Sequence, residues 1–202
     1  MEIVVYDVEI ALAIPSRDEP KLPVFDYCEG WGDKSNMGVA CAAACVLSST
    51  WTIPQYRVFF KDNLESLKKL LRDADLVVGH NILAFDNELL KCEGLVIPES
   101  KCYDTLRESW LAAGLEPQYK SKSHAGFSLD SLCEANFGEK KIGNGAFAPL
   151  LFQVGKYGEL VDYCLRDVWL TVMLFKTMSS EGRQLRDPRN LHGFLNVARQ
   201  IG

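Results

Sequence analysis

The sequence predicts an α/β protein on a mixed five-stranded sheet, an antiparallel three-stranded meander joined by two parallel strands and flanked by helices. Three observations predict it. The chain opens on a β-branched and aromatic run, Ile3-Val4-Val5-Tyr6, which reads as a strand buried on both faces. Two further strand-like segments follow with only a short turn-like stretch between them, as in a hairpin. From Leu64 onward, helix-like and strand-like segments alternate, the pattern of parallel strands with crossover helices.

The first strand leads into two acids, Asp7 and Glu9. Residues 10–36 lack clean periodicity and hold Pro15, Pro20, Pro23, Gly30 and Gly32. They form a long insertion, and Phe25, Tyr27 and Trp31 imply that it packs against the body. Gly38 to Leu47, rich in Ala, Val and Cys, is a central strand or a buried helix. Ser48-Ser49-Thr50 is a turn, and Tyr56–Phe60 the third strand. Asn63 is placed to cap a helix over Leu64–Arg72, with Leu64, Leu67, Leu70 and Leu71 at helical spacing. Leu76–Gly79 is a short buried strand, Phe85–Cys92 a helix, and Cys102–Asp104 a fifth strand followed by a helix from Thr105 to about Ala113. A polar, basic loop over 114–127 precedes a helix capped by Ser128. Gly138 to Gly145 is a Lys- and Gly-bearing loop. The last strong helix runs from near Gly158 to about Met178. Residues 183–202 are a C-terminal extension with a weak helix around Leu191–Ile201.

The chain has 202 residues, enough for one domain, 1–202, with a sizeable core. Its net charge of -5 argues against attachment to nucleic acid by bulk positive charge, but not against an enzyme that grips one strand end. The seven cysteines form no Cys-x-x-Cys pair and read as buried, reduced thiols. Cys41 and Cys45 could share a metal only if both lay on one helix. The first apolar run is too short for a signal peptide, and no run approaches the length of a membrane span. The expectation is a soluble, cytoplasmic protein with no membrane partner.

The chemistry rests on carboxylates. Asp7 and Glu9, two apart on a strand, face the same way. Two like charges at the end of an apolar strand are costly unless compensated, and a hard divalent cation is the usual compensation. An isolated Asp-x-Glu reads first as the solvated end of a strand that stops at Tyr6, so the rest of the chain decides. Asp86 lies at the start of a helix, where a carboxylate gains from the dipole whether or not it has another role. Tyr163 and Asp167, four apart, share a helix face. Beside them Leu160, Cys164 and Val168 form an apolar stripe, which puts Asp167 at the margin of the core.

Taken in order, these are Asp-x-Glu on a first strand, Gly79-His80-Asn81 with Phe85-Asp86 at a strand-to-helix junction, and Tyr-x3-Asp-Val on a late helix. The set resembles the DEDD superfamily of 3′–5′ exonucleases, whose fold is ribonuclease H-like. Asp7 and Glu9 match its first motif, Asp86 its second and Asp167 its third. Tyr163 matches the tyrosine subclass; the histidine subclass would need His where this chain has Asp162. Asp104-Thr105 and Ser128-Leu129-Asp130-Ser131-Leu132 match secondary features. The resemblance spans residues 2–178 and looks nearest to the proofreading domains of B-family DNA polymerases. Two features depart from the family: Ile10 stands where many members have Thr, and the 10–36 insertion is longer than usual.

The resemblance implies a 3′–5′ exonuclease that hydrolyses the 3′-terminal phosphodiester of single-stranded DNA with two divalent ions, Mg²⁺ or Mn²⁺. It makes Asp7 the ligand shared by both ions. Glu9 and Asp167 complete the nucleophile-side ion, Asp86 holds the second, and Tyr163 orients the attacking water. Weaker substrate contacts are Ile10, Asn81, Phe85, His80, Lys122 and Arg166. Phe85 is a base-stacking platform or a core residue, and His80 reads first as a hydrogen-bonded loop residue. Lys120, His124, Lys140 and Lys141 join Lys122 and Arg166 as cations that could meet phosphates, most of them ordinary solvated surface. The expected partner is nucleic acid with a free 3′ end, with a polymerase, helicase or nuclease as a possible protein partner. An RNA-trimming enzyme of the same chemistry and a non-catalytic nucleic-acid-binding scaffold are the alternatives.

Overall fold

β1 runs from Glu2 to Ile10, past Tyr6 and through both acids. It does so because its even-numbered residues stay apolar: Val4, Tyr6, Val8 and Ile10 are all buried on one face of the sheet. The odd face buries Ile3 and Val5 and then turns polar at Asp7 and Glu9. The strand is therefore held by its alternation, and the solvated-end alternative does not apply.

The computed structural model describes residues 1–18, 20–48, 53–141, 143, 145–180 and 184–197. After β1 come α1 (Lys34–Met37), β2 (Val39–Ser48), β3 (Gln55–Phe59), α2 (Leu64–Asp73), β4 (Leu76–Gly79), α3 (Asp86–Cys92) and β5 (Cys102–Asp104). They are followed by α4 (Thr105–Ala112), α5 (Leu129–Phe137), α6 (Ala148–Gln153), α7 (Tyr157–Ser179), β6 (Leu185–Asp187) and β7 (Asn190–Leu195). The sheet order is β3-β2-β1-β4-β5. β1, β2 and β3 are antiparallel neighbours, while β4 and β5 run parallel to β1. This is the mixed sheet expected from the sequence. The turn expected at Ser49-Thr50 lies outside the described residues.

Helices cover both faces. α4, α5 and α7 pack on the odd face of β1 through Trp110, Leu132, Leu160, Cys164 and Val168, and α2 and α3 cover the even face through Leu64, Leu67, Leu71, Leu89 and Leu90. Each such leucine contributes about 1.5–3 kcal/mol by leaving water. β2 resolves as a strand, and its Ala43 and Cys41 lie opposite Asp7 and Glu9. Their small side chains leave room for α7 to approach the acids.

The 10–36 insertion packs, as its aromatics imply. Ala13 bridges to Tyr27, Ala13 and Cys28 are buried, and the Gln153 side chain of α6 donates to the carbonyls of Ala11 and Asp26.

Two local expectations are corrected. Asn63 does not cap α2 with its side chain; its Oδ1 instead accepts from the Phe60 N–H, closing the turn ahead of the helix. The weak helix around Leu191–Ile201 is a strand where it is described: β7 pairs with β6 across an Asp187-Pro188-Arg189 turn. Leu185 and Leu195 are paired and buried, and Gly193 inside the segment disfavours helix. Asn136 of α5 ties the hairpin down, accepting from the Arg186 N–H and donating to its carbonyl. Six of the seven cysteines are buried, Cys92 is exposed, and Cys41 and Cys45 sit on a strand, not a helix.

Candidate active site

β4 pairs with β1 only as far as Val5↔Val78. Beyond Gly79 the chain turns away, so β1 loses its neighbour on that edge, and a crevice opens at the carboxyl ends of two parallel strands. Open α/β sheets bind ligands at such places. The exposed edge is then closed by side chains: Asp86 Oδ1 accepts the Val8 N–H at 2.9 Å. The turn is tight at Gly79, where an added Cβ would lie 2.0 Å from Ile82 Cγ2.

The loop after β4 is held by one carboxylate. Asp104, at the end of β5, accepts from the N–H groups of Asn81 and Leu83 and from those of Leu106 and Arg107 at the start of α4. It therefore caps α4 and shapes the loop that presents Asn81, Phe85 and Asp86. Asn81 takes φ of 68°, a left-handed conformation that Asn tolerates better than most residues. His80 hydrogen-bonds Thr105 Oγ1 at 2.9 Å, and burial, with the nearby Lys141 charge, pushes it down to about 3. It is a neutral loop residue, in line with its sequence reading.

Here a cavity of about 450 Å³ is lined by Asp7, Glu9, Asp86, Tyr163 and Asp167, with Ile10, His80, Asn81, Phe85, Trp31 and Lys141 around them. Residues distant in sequence thus converge. Ligand atoms of Asp7, Glu9 and Cys164 lie within 4.8 Å of one another, with the Cys164 thiol 3.7 Å from Asp7 Oδ2. α7 brings Tyr163 and Asp167 to the same side, both buried.

The electrostatics are those of crowded acids. Burial, then the charges of Asp7 and Asp167, hold the Glu9 carboxyl well above its ordinary range. Burial and the charge of Asp7 do the same to Asp86. Asp7, only half-buried, is raised by desolvation and pulled back by Lys141. Asp167 is pushed up to about 7 by burial and by Asp7. The Tyr163 phenol is raised by burial first and then by Asp167. Among the described residues, one cation lines the cavity: the Lys141 ammonium pairs with Asp167 Oδ2 and lies 3.3 Å from the Tyr163 hydroxyl.

The donor set fits divalent ions. Hard oxygen ligands are clustered, and Asp167 Oδ1 is buried with no hydrogen-bond partner among the described residues. A buried carboxylate oxygen left in that state is costly unless a cation completes it.

The other cations named from the sequence are elsewhere. Lys122 is exposed and lines neither this cavity nor its neighbour. Arg166 turns away from the cavity, pairs with Glu139, donates to the Lys140 carbonyl and stacks on Trp169. Lys120 and Lys140 pair with Glu116 and Glu134, and His124 is buried against Trp110. Phe85 is half-buried at the cavity mouth, edge-on to Trp31 at 5.9 Å and beneath the Lys34 ammonium. Three residues at the site had no distinguishing signal in the sequence. Lys141 was one lysine of a Gly-bearing loop, Trp31 one aromatic of the insertion, and Cys164 part of an apolar stripe.

Comparison with protein-family models and with curated proteins gives no match to this chain. Among the described residues, no helix is long and apolar enough to cross a membrane.

Proposed function

We propose that this chain is a metal-dependent 3′–5′ exonuclease on a ribonuclease H-like fold, acting on single-stranded DNA. The observation that carries the reading is the meeting of Asp7, Glu9, Asp86, Tyr163 and Asp167 in one cavity. A module without hydrolytic work has no physical reason to bury four carboxylates together.

The charge of Asp7 acts on Glu9, Asp167 and Asp86 alike, and Asp7 would be the ligand shared by two Mg²⁺ or Mn²⁺ ions. Glu9 and Asp167 would complete one set, and Asp86 the other. Ions held there supply Lewis-acid polarisation of the phosphodiester and a lowered pKa for the attacking water. The chain's own groups do the rest. Tyr163 keeps its proton, since burial and Asp167 raise it, and so orients the water by hydrogen bonding instead of acting as base. Ile10 gives the terminal sugar an apolar wall, and Phe85 with Trp31 offers ring faces to the last base. A second cavity of about 1420 Å³ shares Trp31 and Asn81 with the first. It carries Tyr119, Trp110 and Arg17, and no ion pair engages Arg17 among the described residues, which suits the strand behind the terminal nucleotide.

The test is a 5′-labelled oligonucleotide, DNA or RNA, incubated with Mg²⁺ or Mn²⁺ and then with chelator. Stepwise shortening from the 3′ end, stopped by chelator and by Asp7→Asn, is the expected result. Removal from the 5′ end, or activity that survives Asp7→Asn, overturns the reading. Faster trimming of RNA than DNA would move the substrate to RNA with the chemistry intact.

A further inference from the structure

Among the described residues that line the acidic cavity, Lys141 is the one whose charge opposes the rest. Its stem is mostly covered, and its ammonium contacts Asp167 Oδ2 with the Tyr163 hydroxyl 3.3 Å away. The backbone that carries it is fixed from two sides. The Lys141 N–H donates to Asp130 Oδ1 of α5 at 2.6 Å, and the Lys140 carbonyl accepts from Arg166 of α7 at 3.0 Å. What remains free is the four-carbon stem, which can swing while the loop stays put. The side chain keeps 24% of its surface in solvent, so a way out exists. Lys141 holds Oδ2 of Asp167 while Oδ1 is left without a hydrogen-bond partner among the described residues, so a divalent ion on the same carboxylate would sit against the ammonium's charge and each would weaken the other's hold.

We propose that Lys141 is the resident counter-cation of the metal site. It holds the Asp167 end of the cluster and opposes an ion on the same carboxylate, and so it sets the ion concentration at which the site fills. The inference rests on the metal-dependent reading above. The metal-free chain is protected by it: α7 stays docked on β1 even though both carry acids. The cost falls on ion affinity, because each ion binds against the charge of the ammonium. Lys141 is in this sense a positioning residue, acting on the ions through Asp167.

The experiment titrates Mn²⁺ alone into wild type and Lys141→Met by calorimetry, with thermal melts in chelator and in saturating Mn²⁺. The variant is expected to bind Mn²⁺ more tightly by at least about fivefold, the size of an ordinary coupling between sites. Its melting point should lie roughly 4 °C below wild type in chelator, and the gap should close in Mn²⁺. A lysine that serves only packing would cost the same stability in both conditions and leave affinity unchanged; that pattern overturns the proposal, as does weaker binding by the variant. If Lys141→Met folds only when Mn²⁺ is present, that dependence supports it. If it folds in neither condition, Lys141→Gln takes its place under the same two criteria. Failure of wild type and variant alike to bind Mn²⁺ overturns the metal reading itself, whereas equal binding overturns only the role of Lys141.

Discussion

Kept free of divalent ions, the protein should lose stability as the pH rises from about 4 to about 8, with Asp167 contributing much of the slope. Burial first, and then the charge of Asp7, lift the Asp167 carboxyl from 3.8 to about 7 against the pull of Lys141. A carboxyl raised on folding holds its proton more tightly in the native state. The stability it contributes is therefore complete below about pH 4 and is lost as the pH climbs through about 7. A rise of about three units, at 1.36 kcal/mol each, amounts to roughly 4 kcal/mol. That is a large share of the roughly 5–15 kcal/mol that stabilises a typical domain. Glu9 and Asp86 are raised in the same sense and steepen the decline. The assay is urea unfolding in chelator at steps from about pH 5 to about pH 8, for wild type and Asp167→Asn. Wild type should weaken across the window, and Asp167→Asn should lose less and be the more stable protein at the upper end. Saturating Mn²⁺ should flatten the wild-type curve. A wild-type stability that holds level or rises with pH, or a variant whose curve runs parallel to it, would refute the account of the cluster.

Asp104→Ala should cost about 3 kcal/mol, combining a lost helix cap with two loop N–H groups left without an acceptor. Asp104→Asn should cost much less, and hydrogen exchange at Asn81 and Leu83 should quicken in the Ala variant; equal exchange in both would contradict the loop-shaping role. Gly79→Ala forces a Cβ to within 2.0 Å of Ile82 Cγ2. The overpacking should destabilise by about 1–3 kcal/mol, so an unshifted thermal melt would mean the turn is looser than described. Tyr163→Phe should slow hydrolysis by roughly 10- to 100-fold through a less well-placed water, with Mn²⁺ affinity unchanged by calorimetry. Loss of metal binding in that variant would assign Tyr163 a different role.

The sheet was legible because each strand carries its own pattern. β1 opens on a continuous apolar run, β4 is a short β-branched run, and α2 shows its leucines at helical spacing, so local pattern and burial agree. The acids were legible as a set, since Asp7, Glu9, Asp86 and Asp167 sit at ends of elements whose order fixes where those ends meet. The cation among them was not. Lys141 lies in a loop without periodicity, and nothing in sequence separates it from Lys140, which points to Glu134 instead. That Lys122 and Arg166 lie off the cavity lining was not legible for the same reason: composition marks a loop as basic but does not say which way a long side chain points. The β6–β7 hairpin escaped because the six residues of β7, one of them a glycine, show neither period clearly, and its strands are specified by pairing Leu185 with Leu195 and by the Asn136 side chain.

The candidate site is assembled from residues far apart in the chain: Asp7 and the Cys164 thiol that touches it are 157 residues apart. All five strands of the main sheet are complete by Asp104. During synthesis the sheet can therefore form well before Tyr163 and Asp167 leave the ribosome, because chains fold from the amino end as they emerge. A chain that has reached only Asp104 has the strands of the sheet and three of the four carboxylates, Asp7, Glu9 and Asp86, but no complete cavity. Under the proposed function, a cell making this protein is not exposed to its cutting activity until α7 has docked, and that docking also marks the molecule as folded.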